Sequence, residues 1–259
     1  AMAVGMIARW RADELQRLWL HLRLALMASL MLGVSLVLML TDHFVFRTVA
    51  GVAIALWIVA GTLVAIYERI RNAPAVMGGL AALPAAFIGM CLAHTGFAFV
   101  IIGISISSQY SEEHHARMGV GDSEQMSGYT FRLESLQQVE GPNYTATEGV
   151  FSVTKGTELI TTIHSQKRYY PVVGTSMTEA GIDGNLFRDL YISLGEVLEG
   201  EDWSVRLYYR PFVRWLWLGA IMMMLGGLFA ASDRRYRLKA EQSRSIPLAT
   251  GAVTAVSGS

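Results

Sequence analysis

The groups this 259-residue chain offers for acid–base, metal or nucleophilic chemistry are six histidines, one cysteine and 21 carboxylates. Five of the histidines lie at or beyond a water interface. His21 precedes the first apolar run, His43 follows it, His114 and His115 come after the third, and His164 sits in a polar region. His94 differs. It stands in the middle of FIGMCLAHTGFAFVIIG, residues 87–103, with no charged residue for a turn or more on either side. A charged side chain at that depth costs roughly 2.5 kcal/mol or more, so a titratable group kept there calls for a reason. The adjacent pair in EEHH suggests a metal site only superficially. Neighbours in a strand point to opposite faces, so His114 and His115 read as structural or solvated.

A helical wheel sorts the surroundings of His94. Leu83, Phe87, Met90, Cys91, Phe97, Ala98, Ile101 and Ser105 fall within about 60° of it. Gly89, Gly96 and Gly103 fall on the opposite side at seven-residue spacing, and Ala86, Ala93 and Ser107 fill out the small-residue register. One face is therefore smooth enough for a second helix to approach closely. The other is bulky and apolar, with one imidazole in its middle. That setting suits an axial ligand to haem iron, with Phe87, Met90, Phe97 and Ile101 as pocket wall. Geometry alone also admits chlorophyll, a proton relay, or a histidine that merely packs against a neighbouring helix.

The elements that must hold this helix are legible from composition. With 53% hydrophobic and 16% charged residues, the chain reads as a membrane protein. A single cysteine, Cys91, excludes an internal disulfide. The first residues do not form a cleavable signal-peptide pattern. Apolar runs predict transmembrane helices at residues 24–41, 48–66, 84–107 and 212–231, each close to the ~20 residues a crossing needs. Residues 1–23 and 232–259 flank them, the latter expected to be disordered. Placing 1–23, the 67–83 connection and 232–259 on one side collects 11 basic and 5 acidic residues there, against 10 and 16 on the other. The positive-inside rule makes the first side cytoplasmic, with both termini in it. Residues 108–211 are then extracytoplasmic. Their period-two alternation, as in GYTFRLESLQQV and EGVFSVTKGTELITTI, and the turn stretches GPNY and EGEDW predict a small antiparallel β-sandwich or barrel. Arg206, Tyr208, Tyr209, Arg210, Arg214, Trp215 and Trp217 crowd the entry to the last span as an interfacial belt.

Three stretches carry a family resemblance: GMCLAHTGFAFVIIGIS, GYTFRLESLQQVEGPNYTATEGVFSV, and the long run from Met177 to Arg237 that includes RDLYISLGE and DRRYR. Over roughly residues 5–237 the chain resembles the CcmF family, the haem lyase subunit of a multi-component cytochrome c maturation system. It resembles only the C-terminal part. The family's tryptophan-rich haem-handling loop has no counterpart here, and the six tryptophans are scattered. The resemblance implies that His94, in LAHTG, matches the second of two membrane histidines and is an axial ligand of a stable haem b. His43, His114, His115 and His164 match none of the family's haem contacts.

The implied activity is covalent attachment of haem to the thiols of apocytochrome c, with the haem b helping to keep the substrate haem reduced. The implied location is the bacterial inner membrane. The implied partners are haem, the haem chaperone CcmE, apocytochrome c, CcmH- and CcmI-type subunits, the N-terminal part of the same family protein and membrane lipid, with no nucleic acid. A b-type cytochrome acting only in electron transfer is one alternative, although no second intramembrane histidine is present for it. A non-enzymatic assembly scaffold is the other.

Overall fold

The computed structural model describes residues 15–40, 45–71 and 83–233. The histidine at position 43 and the expected disordered tail from residue 234 lie outside them. Among the described residues there are four long helices and nine strands. Helix α1 is Leu15–Leu40, α2 Phe46–Ile70, α3 Ala85–Tyr110 and α4 Val213–Ser232, with all nine strands between α3 and α4. Three of the helices, α2, α3 and α4, are long and apolar enough to cross a membrane, while the apolar part of α1 is Arg23–Met39.

The helices pack in chain order, α1 on α2, α2 on α3, and α3 most extensively on α4. The closeness of the last pair follows from its small residues. A methyl placed on Gly96 would lie 2.6 Å from the carbonyl oxygen of Gly219, and one on Gly89 would lie 2.4 Å from that of Gly226. Backbones meet with nothing between them, as dense packing without a hydrophobic driving force requires. On the other side, Thr48 Oγ1 of α2 donates to the carbonyl of Ser105 at 3.2 Å. Ala98, Ile102 and Ile106 there join Val49, Val52 and Ile58 in a buried cluster. Only 11% of the apolar stretch of α4 is buried, so its outer face is free to meet lipid or protein.

Helix α3 runs three residues past the expected end of its span, because Ser108, Gln109 and Tyr110 contain no helix breaker. The β region accordingly opens at Glu112 rather than 108. The strands are β1 (Glu112–Met118), β2 (Ser123–Met126), β3 (Tyr129–Glu140), β4 (Thr145–Lys155), β5 (Glu158–Tyr170), β6 (Thr175–Glu179), β7 (Gly181–Gly184), β8 (Arg188–Val197) and β9 (Trp203–Pro211). They form two antiparallel sheets, ordered β1-β9-β8-β7 and β2-β3-β4-β5-β6. The expectation of sandwich or barrel resolves to a sandwich. Alternation along the strands decides what faces inward: Leu190, Ile192 and Leu194 of β8 meet Phe131, Leu133, Phe151 and Val153 of the other sheet. Ser165 ties the sheets together. Its hydroxyl donates to the carbonyl of Glu179 and accepts from the amide of Leu194, at 3.1 and 3.0 Å.

The sandwich is joined to the helices without slack. One residue, Ser111, separates α3 from β1, and one, Phe212, separates β9 from α4. Phe212 has φ 54°, a left-handed conformation costing on the order of 1–3 kcal/mol in a non-glycine residue. It is held there by its amide, which donates to the carbonyl of Phe187 at 2.9 Å, and by edge-on packing of its ring against Phe187 and Trp215.

Candidate functional site

His94 is the tenth residue of a 26-residue helix, so it lies about 14 Å along the axis from its first residue at ~1.5 Å per residue. Its side chain is half-buried. The Nδ1 atom is 2.8 Å from the carbonyl oxygen of Met90, one turn back. A carbonyl can only accept, so Nδ1 carries the proton and donates. In the neutral imidazole, Nε2 is then left with its lone pair bare. This is the arrangement in which a histidine binds a metal ion: one nitrogen held by an oxygen acceptor, which fixes tautomer and ring orientation, and the other free to ligate.

The wheel assignment of faces holds. Gly89, Gly96 and Gly103 meet α4, with contacts to Gly226, Gly219 and Leu216, and His94 points elsewhere. Of the expected pocket wall, Phe87 and Met90 line an open groove of about 530 Å³ with Ala86, Ala230 and Ala231. Phe87 is also covered by the guanidinium of Arg69, 4.6 Å from its ring centre. Phe97 and Ile101 are half-buried and pack against the cluster shared with α2. Phe87 and Met90 thus belong to a groove between the start of α3 and the end of α4, and Phe97 and Ile101 to the packing against α2, while all four share the helical sector of His94. Haem fits this donor set: an imidazole nitrogen with a bare lone pair amid thioether, aromatic and aliphatic groups, with no carboxylate among the wall residues and the Arg69 guanidinium over Phe87 as the charge nearby.

Three further histidines, His114, His115 and His164, stand on the strands beside carboxylates. His115 bonds Glu113 at 2.9 Å, His114 lies 3.5 Å from Glu124, and His164 lies 3.3 Å from Glu148. Among the described residues no group of three or more His, Cys, Asp or Glu side chains could hold a metal ion. Several belt residues are held by partners elsewhere in the fold. Arg214 Nε donates to Asp189 at 2.7 Å, Tyr208 packs edge-on against Tyr191, and Trp215 stacks on Phe99 of α3 with centroids 4.5 Å apart.

Two supports were not anticipated from sequence. Asp233, just past α4, accepts from the amide of Ala86 at 3.0 Å and is buried. It places a carboxylate at the start of α3, where the free amides and helix dipole favour negative charge. Arg188 is 7% exposed, is paired with Asp183 and sits over the ring of Tyr129. The only hint was the charged start of RDLYISLGE.

Known proteins resemble the chain over most of its length. Residues 109–211 match the family model described as CcmF C-terminal beta-sandwich. The cytochrome c-type biogenesis protein CcmF of Pseudomonas aeruginosa is 40% identical over 239 residues, which cover 92% of this chain and 36% of that protein. Its Escherichia coli namesake is 38% identical over 95% of this chain and 37% of its own. A solved structure titled Cytochrome c Heme Lyase CcmF is similar with TM-score 0.69, over 90% of this chain and 38% of that one, at 20% identity. At that identity the structural likeness is one of fold. The chain spans just over a third of the length of the curated relatives it matches.

Proposed function

We propose, from the premise that the chain belongs to the CcmF family and corresponds to a C-terminal part of it, that it works in cytochrome c biogenesis as part of a haem lyase, with His94 as an axial ligand of haem b. The observation that carries the reading is the Nδ1–H···O=C bond from His94 to Met90, which leaves Nε2 bare in the apolar stretch of a long helix. Haem bound there would supply one-electron chemistry, keeping the haem destined for apocytochrome c ferrous.

The residues of this chain have separate tasks. The Met90 carbonyl holds the imidazole in one tautomer and one orientation. Phe87, Met90, Phe97 and Ile101 keep water from the ligating nitrogen. The glycine face sets the position of α3 against α4, and Asp233 anchors the start of α3. Helices α2, α3 and α4 contain no other histidine, so any second histidine holding the haem would come from outside them. The N-terminal part of the family protein is the natural source.

In this reading α1 to α4 cross the bacterial inner membrane. The 11-to-5 basic excess lies in the cytoplasm and the sandwich outside it. Apocytochrome c, the chaperone CcmE and CcmH- or CcmI-type subunits are the partners the family implies, and the rigidly tethered sandwich is their docking platform.

The test is the haem content of the chain assembled with the N-terminal part of the family protein, measured as pyridine haemochrome per complex. His94→Ala should remove the haem b associated with this chain while circular dichroism and complex yield stay near those of the unmodified protein. Full haem retention in His94→Ala would exclude the ligand role.

A further inference from the structure

The end of the β-sandwich nearest the helices exposes apolar side chains on two of its hairpins, where water-facing hairpins are ordinarily polar. The β7–β8 connection presents Leu186 and Phe187, 57% and 60% exposed. Its shape is well determined: Asn185 Oδ1 accepts from the amides of Phe187 and Arg188 at 2.8 and 3.0 Å, and the amide of Asn185 donates to the carbonyl of Arg188 at 2.9 Å. Just past the turn of the β4–β5 hairpin stand Leu159, 60% exposed, and Ile160.

A chain of ring contacts fixes the height of this end. Phe187 meets Phe212 at 5.8 Å between centroids, Phe212 meets Trp215 at 5.1 Å, and Trp215 stacks on Phe99 of α3. The β4–β5 turn is tied to the same level through Tyr129. The ring of Tyr129 lies 6.1 Å from that of Tyr209, which is two residues before the end of β9, and carries Lys155 Nζ at 5.5 Å. Both apolar hairpins therefore stand where α3 and α4 leave their apolar layer. The single-residue joints at Ser111 and Phe212 hold the sandwich down at that height.

We infer that this end of the sandwich is a membrane-surface footprint, with Leu186, Phe187, Leu159 and Ile160 immersed in the boundary between headgroups and acyl chains of the bilayer that the helices cross. The occupant is lipid because the footprint is continuous with the lipid-facing ends of α3 and α4. Side chains of this type bind the interface by the apolar area they bury there. Lys155 and Arg210, both exposed, reach the headgroup layer with their ends in water. Glu112 and Glu158 stand at the same end, so the contact rests on apolar insertion rather than on anionic lipid. The inference builds on the membrane reading of the helices, but not on His94 or haem. Its consequence is mechanical: the platform cannot tilt or lift, and partners meet it at a fixed height above the membrane.

The experiment uses the chain reconstituted in phosphatidylcholine nanodiscs, with Cys91 replaced by serine and one nitroxide label at Leu186→Cys, Leu159→Cys or Val172→Cys. Val172 is 92% exposed at the far turn of the sandwich, roughly 40 Å from Leu159 along β5 at ~3.3 Å per residue, and serves as the aqueous reference. Labels at 186 and 159 should collide with oxygen in preference to a water-soluble nickel chelate, with an oxygen-to-nickel ratio several-fold above that at 172. Equal ratios at all three positions would overturn the footprint. So would labels at 186 and 159 shielded from both reagents, because a protein surface and not lipid would then cover this end. The two positions lie on separate hairpins, so a variant that fails at one leaves the other decisive. Loss of membrane incorporation altogether would instead count against the helix assignment.

Discussion

Replacing Gly96 with leucine tests how the helix that carries His94 is positioned. A β-carbon at Gly96 would lie 2.6 Å from Gly219 O, 2.8 Å from Met222 Cβ and 3.0 Å from Met223 N. To restore an ordinary 3.4 Å contact with the carbonyl oxygen alone, α4 must retreat by about 0.8 Å, before the rest of the leucine is accommodated. Overpacking of this kind costs about 1–3 kcal/mol. Gly227 is the control, because a β-carbon there meets nothing within 4 Å. The assay is unfolding in detergent on titration with dodecyl sulfate, followed by tryptophan fluorescence. Trp215, stacked on Phe99 across the same interface, reports the separation of α3 and α4. Gly96→Leu should lose about 1–3 kcal/mol, Gly96→Ala a smaller part of it, and Gly227→Leu nothing measurable. In the assembled complex, Gly96→Leu should lower yield while leaving haem per complex nearly normal. Phe97→Ala, on the histidine flank, should leave yield intact and loosen haem. Equal losses from Gly96→Leu and Gly227→Leu would refute the close-packed interface. Haem loss confined to Gly96→Leu would mean that the two faces have been exchanged.

Further outcomes follow from the same contacts. Reporter fusions at Asn143 and Ala231 should report opposite sides of the membrane, with Asn143 outside; agreement between them would remove α4 from the set of spans. Residues 1–259 alone should purify without stoichiometric haem, and a full bis-histidine spectrum from them would mean that another histidine or a second copy supplies the missing ligand. Hydrogen bonds from Gln166 above all, and from Gln137 and His164, hold the Glu148 carboxyl below its usual range. Its contribution to stability is therefore present above the unfolded value of ~4.3 and is lost as pH falls through the lower folded value. Thermal midpoints of Glu148→Gln should show a shallower decline below pH 4.3 than the unmodified chain, and identical slopes would exclude the effect. Asp183→Ala should destabilise the sandwich by roughly 3–5 kcal/mol by leaving Arg188 buried and unpaired. Arg188→Met should cost clearly less, and the reverse order in denaturant titrations would show that the pair is not the reason Arg188 is buried.

How much of this could be read from sequence depends on how local each feature is. The two faces of α3 were legible because helical periodicity alone separates Gly89, Gly96 and Gly103 from His94 and Met90. The inward Phe151 and Val153 of β4 were legible because alternation in a half-buried strand is equally local. Period two does not say which strands share a sheet, so the choice between sandwich and barrel stayed open until the order β1-β9-β8-β7 was seen. The end of α3 was placed three residues early because hydropathy marks where hydrocarbon ends, and helices continue into the headgroup layer. Asp233 on Ala86 and Arg188 with Asp183 and Tyr129 join residues that are distant in sequence or separated by a turn, and no spacing rule indicates them. The left-handed Phe212 was hidden for a further reason. The sequence there shows a large aromatic where such a conformation favours glycine, and only the packing of Phe187 and Trp215 around it explains the choice.

The central claim is that His94 places a neutral, ligating Nε2 toward iron. The most direct measurement is the visible and resonance Raman spectrum of the assembled complex carrying His94→Gly, with and without added imidazole. The account predicts that the low-spin haem b signal disappears in the variant and returns when imidazole occupies the space of the missing side chain. An unchanged low-spin spectrum in His94→Gly without imidazole would contradict it.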